Sequence, residues 1–165
     1  MKLRNYLCLW ALVCFAYMNV SAQKNQNKLM DDEYEVQALK TAVEGTILFK
    51  IFSYGKNEDD CIANAKRNAI KAVVFNGIPG SDLQKPLVTD IGASTTHKDY
   101  FTVFFQKNGK YLQFVSLSTD GSIDSNDRLR VGKNIKIGIA VLVQKQALRN
   151  ELEKAGIIKS LGHGF

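Results

Sequence analysis

The stretch YFTVFFQKNGKYLQFVSL, residues 100–117, contains two runs of alternating apolar residues joined by Asn108 and Gly109. An Asn-Gly pair between such runs is the strongest short-range hairpin signal, because both central residues of a type I′ turn need φ > 0. A two-residue loop also fixes the register, so that Val103 and Phe105 share one side of the ribbon. The sequence therefore predicts a β-hairpin whose core face carries these two residues.

The opposite side of the predicted hairpin carries the candidate interface residues Phe104, Tyr111 and Val115. Large exposed apolar patches are rare on soluble monomers. These side chains are therefore either covered from within, by a loop or by residues 29–43, or they form an interface with a partner.

The first 22 residues have the features of a secretory signal peptide. Lys2 and Arg4 precede an apolar run from Tyr6 to Met18, and Val20-Ser21-Ala22 follows it. The run is shorter than the roughly 20 residues that a bilayer core requires. The sequence predicts cleavage after Ala22 and export to the periplasm, the outer membrane or the medium. It predicts no transmembrane segment in the mature protein.

Removal of the signal peptide changes the charge and the cysteine count. The formal net charge falls from +6 to +4, because Lys2 and Arg4 are lost and no acidic residue is. This is an ordinary surface charge and does not indicate a nucleic-acid partner. Cys8 and Cys14 are lost with the signal peptide, which leaves Cys61 alone. The exported protein is therefore expected to have no internal disulfide, and its stability must come from its core.

The mature chain reads as one domain between two short flanking segments. Residues 23–43 are a leader or arm, with a short helix or an extended segment over Leu29–Val43, and residues 160–165 are a tail. The predicted elements between them are a strand over Thr46–Tyr54, a helix over Asp59–Phe75, the hairpin, a strand over Asn134–Gln144 and a helix over Gln146–Ala155. Residues 85–88 are a possible short edge strand.

The order β-α-β-β-β-α predicts an α+β fold for residues 44–159. Its sheet is rich in antiparallel pairs, has about four strands and is packed by two helices. The stripe of Ile62, Ala65, Ala69 and Val73 marks the helical face that approaches the sheet.

Residues with catalytic or metal-binding side chains do not form a recognisable constellation. His97 lies in the irregular stretch Ser81–Lys98, at the rim of a hypothetical pocket, and His163 is the other histidine. No HxxxH pair, cysteine cluster or Gly-x-Ser-x-Gly elbow is present. Cys61 flanks the apolar stripe next to two aspartates and is predicted to be packed and inert. We therefore expect no catalytic, metal or cofactor site.

Two charged stretches follow the hairpin. Asp120, Asp124, Asn126 and Asp127 resemble calcium ligands, but the sixth residue from Asp120 is Ser125, where an EF-type loop needs glycine. The basic run is Arg128, Arg130, Lys133 and Lys136. No aromatic platform for bases is interleaved with it. It therefore indicates a solvated edge, or contact with anionic envelope components, rather than nucleic-acid binding.

Three stretches together resemble a family of exported, signal-peptide-bearing Bacteroidota proteins of unassigned activity. They are NAIKAVVFNGIPGS (68–81), YFTVFFQKNGKYLQFV (100–115) and IKIGIAVLVQKQALRNELEKAGII (135–158). The architecture is also distantly similar to envelope domains of the type found at the amino terminus of TolB. The resemblance implies an envelope location and no particular activity.

Two functions follow from these observations. The first is an exported, non-enzymatic domain that binds a protein or another envelope component, through the second face of the hairpin or an edge of the sheet. The alternative is a small-ligand-binding protein or hydrolase with a pocket between residues 81–98 and the sheet, and with His97 at its rim.

Overall fold

The computed structural model describes residues 33–39, 43–118 and 123–160. The predicted signal peptide, the start of the predicted leader and residues 161–165 lie outside these ranges. Five strands form one antiparallel sheet: β1 (Tyr34–Ala38), β2 (Ile47–Gly55), β3 (Val115–Leu117), β4 (Arg128–Val131) and β5 (Asn134–Val143). The predicted α+β fold with an antiparallel sheet is confirmed.

Strand β5 is the centre of the sheet. One of its edges pairs with β2 along the whole of β2, from Ile47 opposite Val143 to Gly55 opposite Ile135. Its other edge pairs with β3 near its end and with β4 near its beginning, so these two short strands share one edge. Strand β1 pairs with the free side of β2. Tyr34–Ala38 is thus a strand, which agrees with the extended alternative for residues 29–43 and not with the helical one. Residues 29–32 and 40–42 lie outside the described ranges.

The helices are α1 (Glu58–Lys71), α2 (Ala93–Thr96), α3 (Lys98–Phe104) and α4 (Lys145–Lys154). Helix α1 begins where the side-chain oxygen of Asn57 accepts a hydrogen bond of 2.9 Å from the amide of Asp60. Gly156 terminates helix α4 just after its last residue, Lys154, as the sequence predicts, and the φ of this glycine is +70°. Ile157 then folds back and is buried.

Helix α1 continues as a π-helical segment, Ala72–Asn76, which anchors the loop that follows. The amides of Leu87 and Val88 donate to the carbonyl oxygens of Val73 and Val74, at 3.1 and 2.9 Å. Residues 85–88 therefore bond to a helix end and form no strand. The predicted helix over Asp59–Phe75 is confirmed.

The hairpin predicted for residues 100–117 is wrong. Its first half is helix α3, and its second half is a 3₁₀ segment, Lys110–Phe114, followed by the three-residue strand β3. Phe101 and Phe104 have helical as well as alternating spacing, and the helix buries both of them. Asn108 does adopt φ +60°, but Gly109 has φ −71°, so the type I′ turn is absent.

Every helix within the described ranges contributes to one core on one face of the sheet. The strands supply alternate residues to this core, among them Phe49, Ile51, Ile139 and Val141. The described residues from Tyr34 onward form one compact unit. None of the described helices has the length and apolar character needed to cross a membrane.

Candidate functional site

The three candidate interface residues are part of the core. Phe104 is 2% exposed, Tyr111 is 5% exposed and Val115 is 7% exposed. Phe104 stacks on Phe114 with ring centroids 6.1 Å apart. The hypothesis that a face of residues 100–117 binds a partner through these side chains is therefore wrong, because α3 and the 3₁₀ segment turn them inward.

The second face of the sheet, which we call the open face, is the one that does not carry the core cluster. It carries the alternate residues of the strands, whose neighbours point into the core. Leu48 lies directly opposite Leu142, and Phe52 lies opposite Gly138. Leu48, Phe52 and Leu142 are half-buried and do not belong to the core cluster. The open face is defined here as Leu48, Lys50, Phe52, Tyr54, Lys136, Gly138, Ala140 and Leu142, with Leu129 at its margin.

Lys136 ties three strands together across the open face. Its ammonium lies 5.2 Å from the ring centroid of Phe52 and 5.6 Å from that of Tyr54. It then reaches the carboxylate of Glu35 on β1, at 2.6 Å. The hydrogen bond to Glu35 raises the pKa of Lys136, while partial burial opposes the rise. This lysine is therefore charged and held over two aromatic rings.

A second ion pair crosses the central strand. The ammonium of Lys50 on β2 lies 2.5 Å from the carboxylate of Asp127, which precedes β4. The pair passes over β5 beside Gly138, where a side chain would collide with the Phe52 ring. Both partners are mostly buried, with exposed side-chain fractions of 27% and 16%. The two basic residues of the open face are thus both paired.

The arrangement makes the open face apolar, aromatic and internally neutralised. Leu129 is 60% exposed at its margin and lies opposite Lys136 in the register of β4 and β5. The residues that define the open face include no histidine, cysteine, serine or carboxylate. Its chemistry suits the burial of apolar area against another molecule.

Cys61 is fully buried, as predicted. Its thiol points to the carbonyl oxygen of Ile135, at 3.5 Å. Burial, together with the nearby carboxylates of Asp60 and Glu58, raises the pKa of Cys61 to about 11, against an opposing effect of Arg128. The thiolate that nucleophilic chemistry requires is therefore disfavoured.

His97 is half-buried between α2 and α3, where its amide donates to the carbonyl of Ala93 at 2.9 Å. The loop before it borders two depressions. One has a volume of about 370 Å³ and includes Phe75 and Ser94; the other, of about 610 Å³, lies between residues 86–90 and 157–160 beside Arg149. His97 lines neither of them, so the structure does not bring it to the hypothesised pocket.

The acidic and basic residues between Asp120 and Lys136 have separate partners and do not form one site. Arg128 pairs with Glu58 at the start of α1, and Lys136 pairs with Glu35. Asp124 caps the 3₁₀ turn Ser125–Asp127 by accepting from the amide of Asn126, while Asp120 lies outside the described residues. Within the described ranges, no group of three His, Cys, Asp or Glu side chains could hold a metal ion.

Sequence patterns gave a partial signal for the open face. In β2, Leu48, Lys50 and Phe52 share one side by alternation. What alternation does not reveal is that all the described helices pack on the opposite side. The ion pair of Lys50 with Asp127 joins residues 77 positions apart and has no local signature.

Comparisons with known proteins do not assign the chain to a family. It matches no family model, no curated protein and no solved structure.

Proposed function

We propose that this protein is an exported, non-enzymatic α+β domain that binds a protein or another cell-envelope component through the open face of its sheet. One observation carries the proposal: the described helices all pack on one face, and the other face presents aromatic and aliphatic side chains. Leu129, at the margin of that face, is 60% exposed. Apolar surface of this kind, rimmed by charged residues, is typical of an interaction site.

The paired charges support the same proposal. Burial of an unpaired charge in an interface costs several kcal/mol. Lys50 and Lys136 already have carboxylate partners within the sheet. A partner can therefore cover the face without leaving either ammonium uncompensated. The aromatic rings of Phe52 and Tyr54 are also the type of side chain enriched in interface cores.

The exported location rests on residues 1–22 and on the resemblance to exported Bacteroidota proteins. It is tested separately by determining the amino terminus of the protein isolated from cells. A mature chain that begins at Gln23 supports export through the predicted signal peptide. A chain that retains residues 1–22 contradicts it.

Two exposed apolar residues make a matched test of the binding surface. Leu129→Asp places a charge at the margin of the open face, and Val103→Asp places the same charge on α3, where Val103 is 62% exposed. Tagged wild-type and variant proteins are incubated with the solubilised envelope fraction, and the retained components are quantified. We expect Leu129→Asp to lose a component that wild type and Val103→Asp both retain. Equal retention by all three proteins contradicts the open face as the binding surface.

A second candidate function is a small-ligand-binding protein. The depression of about 610 Å³ beside Arg149 favours it, because apolar residues such as Leu87 and Ile157 line it together with this guanidinium. A small anion that raises the melting temperature of wild type but not of Arg149→Gln supports this alternative. If no such ligand is found and Leu129→Asp loses the envelope component that wild type retains, the small-ligand alternative is contradicted.

A further inference from the structure

The depression beside helix α4 carries side chains of both charges. It has a volume of about 610 Å³, and Asp90, Arg149 and Lys159 line it together. Its lining shares no residue with the open face. The volume falls within the range of sites for small molecules. A ligand in this depression is therefore small, and its binding is independent of the open face.

The apolar part of the lining is held in a fixed position. Leu87, Val88 and Ile157 are buried members of the core cluster. The amides of Leu87 and Val88 donate to the π-helical segment, and the amide of Ile157 donates to the carbonyl oxygen of Leu152 at 3.0 Å. Ligand sites are typically preformed and apolar, with a few polar groups that fix the orientation of the ligand. This lining suits an aliphatic side chain.

Arg149 supplies the positive charge. Its Nε atom lies 2.9 Å from the carboxylate of Glu153, one turn later on α4, and its side chain is 22% exposed. Among the residues that the structure describes, the two terminal nitrogens of this guanidinium have no further partner. Guanidinium groups bind carboxylates through directed, charge-assisted hydrogen bonds. Arg149 can therefore bind a carboxylate of the ligand without losing its ion pair with Glu153.

Asp90 supplies the negative charge and is held in one orientation. Its Oδ1 atom accepts a hydrogen bond of 2.9 Å from the amide of Gly92, and its carbonyl oxygen accepts one of 3.1 Å from the amide of Ala93. Its second carboxylate oxygen, Oδ2, has no partner within the described ranges. Asp90 also lines the neighbouring depression of about 370 Å³, which includes Phe75. This carboxylate therefore lies where the two depressions adjoin, and it can accept a hydrogen bond from an ammonium.

We propose that this depression binds a small zwitterion with an apolar side chain, either a free amino acid or a dipeptide. The ligand carboxylate pairs with Arg149, and its ammonium pairs with Asp90. Its side chain lies against Leu87 and Ile157. A ligand with one charge alone satisfies only one of the two charged residues. The inference rests on the second candidate function, whose ligand class it names, and does not depend on the open face.

The test is isothermal titration calorimetry of the mature protein with leucine and with alanyl-leucine. Each zwitterion is compared with its N-acetylated form, which lacks the ammonium, and with its amide, which lacks the carboxylate. We expect the amide to bind about tenfold more weakly, because Arg149 is mostly buried. We expect the N-acetylated form to bind about threefold more weakly, because Asp90 is exposed. The tighter zwitterion shows whether the source is a free amino acid or a peptide.

Two variants connect these losses with the two charged residues. Asp90→Asn keeps an oxygen that accepts from Gly92, and it is expected to bind the zwitterion and its N-acetylated form within about twofold of each other. Arg149→Gln is expected to bind the zwitterion and its amide within about twofold of each other. The matched controls, Asp99→Asn and Arg130→Gln, change the same charges at exposed residues outside the depression. They are expected to retain the preferences of wild type.

Three results overturn the proposal. They are no binding of either zwitterion, equal binding of the zwitterion and its N-acetylated form by wild type, and loss of the preferences in a control variant. Equal binding of the N-acetylated form leaves a site for an anion at Arg149, so the second candidate function survives when this inference fails. The comparison of ligand forms uses wild type alone, and it therefore decides the question even if Arg149→Gln does not fold.

Discussion

The ring of Phe52 occupies the space in which a side chain at Gly138 would lie. A Cβ atom added at Gly138 would come within 2.5 Å of Cε1 and 2.8 Å of Cδ1 of that ring. The two residues face each other on β2 and β5. The glycine therefore allows the aromatic ring to lie flat across the centre of the open face.

Gly138→Ala is expected to lower the free energy of unfolding by about 1–3 kcal/mol, because the added methyl group forces the Phe52 ring out of place. Urea denaturation measures the loss. Gly92→Ala is the matched control, since a Cβ there meets its nearest neighbour at 3.4 Å in the backbone conformation of a helix. Replacing Phe52 by alanine in the Gly138→Ala protein should recover part of the lost free energy of unfolding. If the losses from the two single substitutions simply add in the double variant, the contact between residues 52 and 138 is contradicted.

Gly77 is expected to be the glycine least tolerant of substitution. Its φ is +77°, and a Cβ would lie 2.3 Å from the carbonyl oxygen of Gln84. Gly156 has a similar φ of +70° with open space around it. We expect Gly156→Ala to cost about 1 kcal/mol and Gly77→Ala to cost about 3 kcal/mol or more, in thermal or urea unfolding. Equal losses would mean that residues 77 and 84 do not approach as described.

Val103 and Phe104 distinguish helix α3 from the hairpin predicted by sequence. In the structure, Val103 is 62% exposed and Phe104 is 2% exposed, whereas the hairpin places Val103 in the core. Val103→Asp should change the free energy of unfolding by about 0.5 kcal/mol or less, and Phe104→Asp should abolish cooperative folding. A larger loss of stability for Val103→Asp than for Phe104→Asp would contradict helix α3 and support the hairpin.

Cys61 is expected to resist alkylation in the folded protein. Burial and the carboxylates of Asp60 and Glu58 raise its pKa from 9.0 to about 11. Iodoacetamide should therefore label the urea-unfolded chain at least about 100-fold faster than the folded chain at neutral pH. Rapid labelling of the folded protein would show that the thiol is accessible.

The same shift predicts a loss of stability in alkali. Because the folded pKa lies above the unfolded one, the neutral thiol is favoured by folding and its contribution is intact below about pH 9. That contribution is lost as the pH rises toward 11. Unfolding measured across this range should show a smaller decline in Cys61→Ala than in wild type. Identical declines would contradict a role for this thiol.

Sequence patterns predicted the parts of the fold that rest on long, regular periodicity. Helix α1 combines acidic residues in its first turn, an apolar stripe and a stop at Gly77, and it forms nearly where expected. Strand β5 alternates along its whole length and also forms as predicted. In both elements the local preference and the tertiary packing agree.

The region from Tyr100 to Leu117 shows why the rest was not predictable. Phe101, Phe104 and Phe105 fit a helical stripe as well as parts of an alternating pattern. What favours the helix is a partner distant in sequence: the ring of Phe75 packs edge-on against Phe101, with centroids 4.9 Å apart. The sequence of residues 100–117 does not reveal the contact with Phe75. The Asn108-Gly109 pair therefore favoured a hairpin, and the prediction was wrong.

The candidate site was predicted only in its chemistry. Apolar and aromatic residues were expected at an interaction surface, but the residues chosen were those of the supposed hairpin. The open face is assembled from alternate residues of β2 and β5 and from ion pairs that reach β1 and Asp127. Its exposure depends on which side of the sheet the helices cover, and this is decided by the packing of the whole chain.

The most direct test of the open face is the mass of the native mature protein, purified gently from its own envelope and measured by size exclusion with light scattering. The account predicts a mass above that of the monomer for wild type and for Val103→Asp, and the monomer mass for Leu129→Asp. A monomer in all three proteins, or an unchanged complex in Leu129→Asp, would contradict binding through this face.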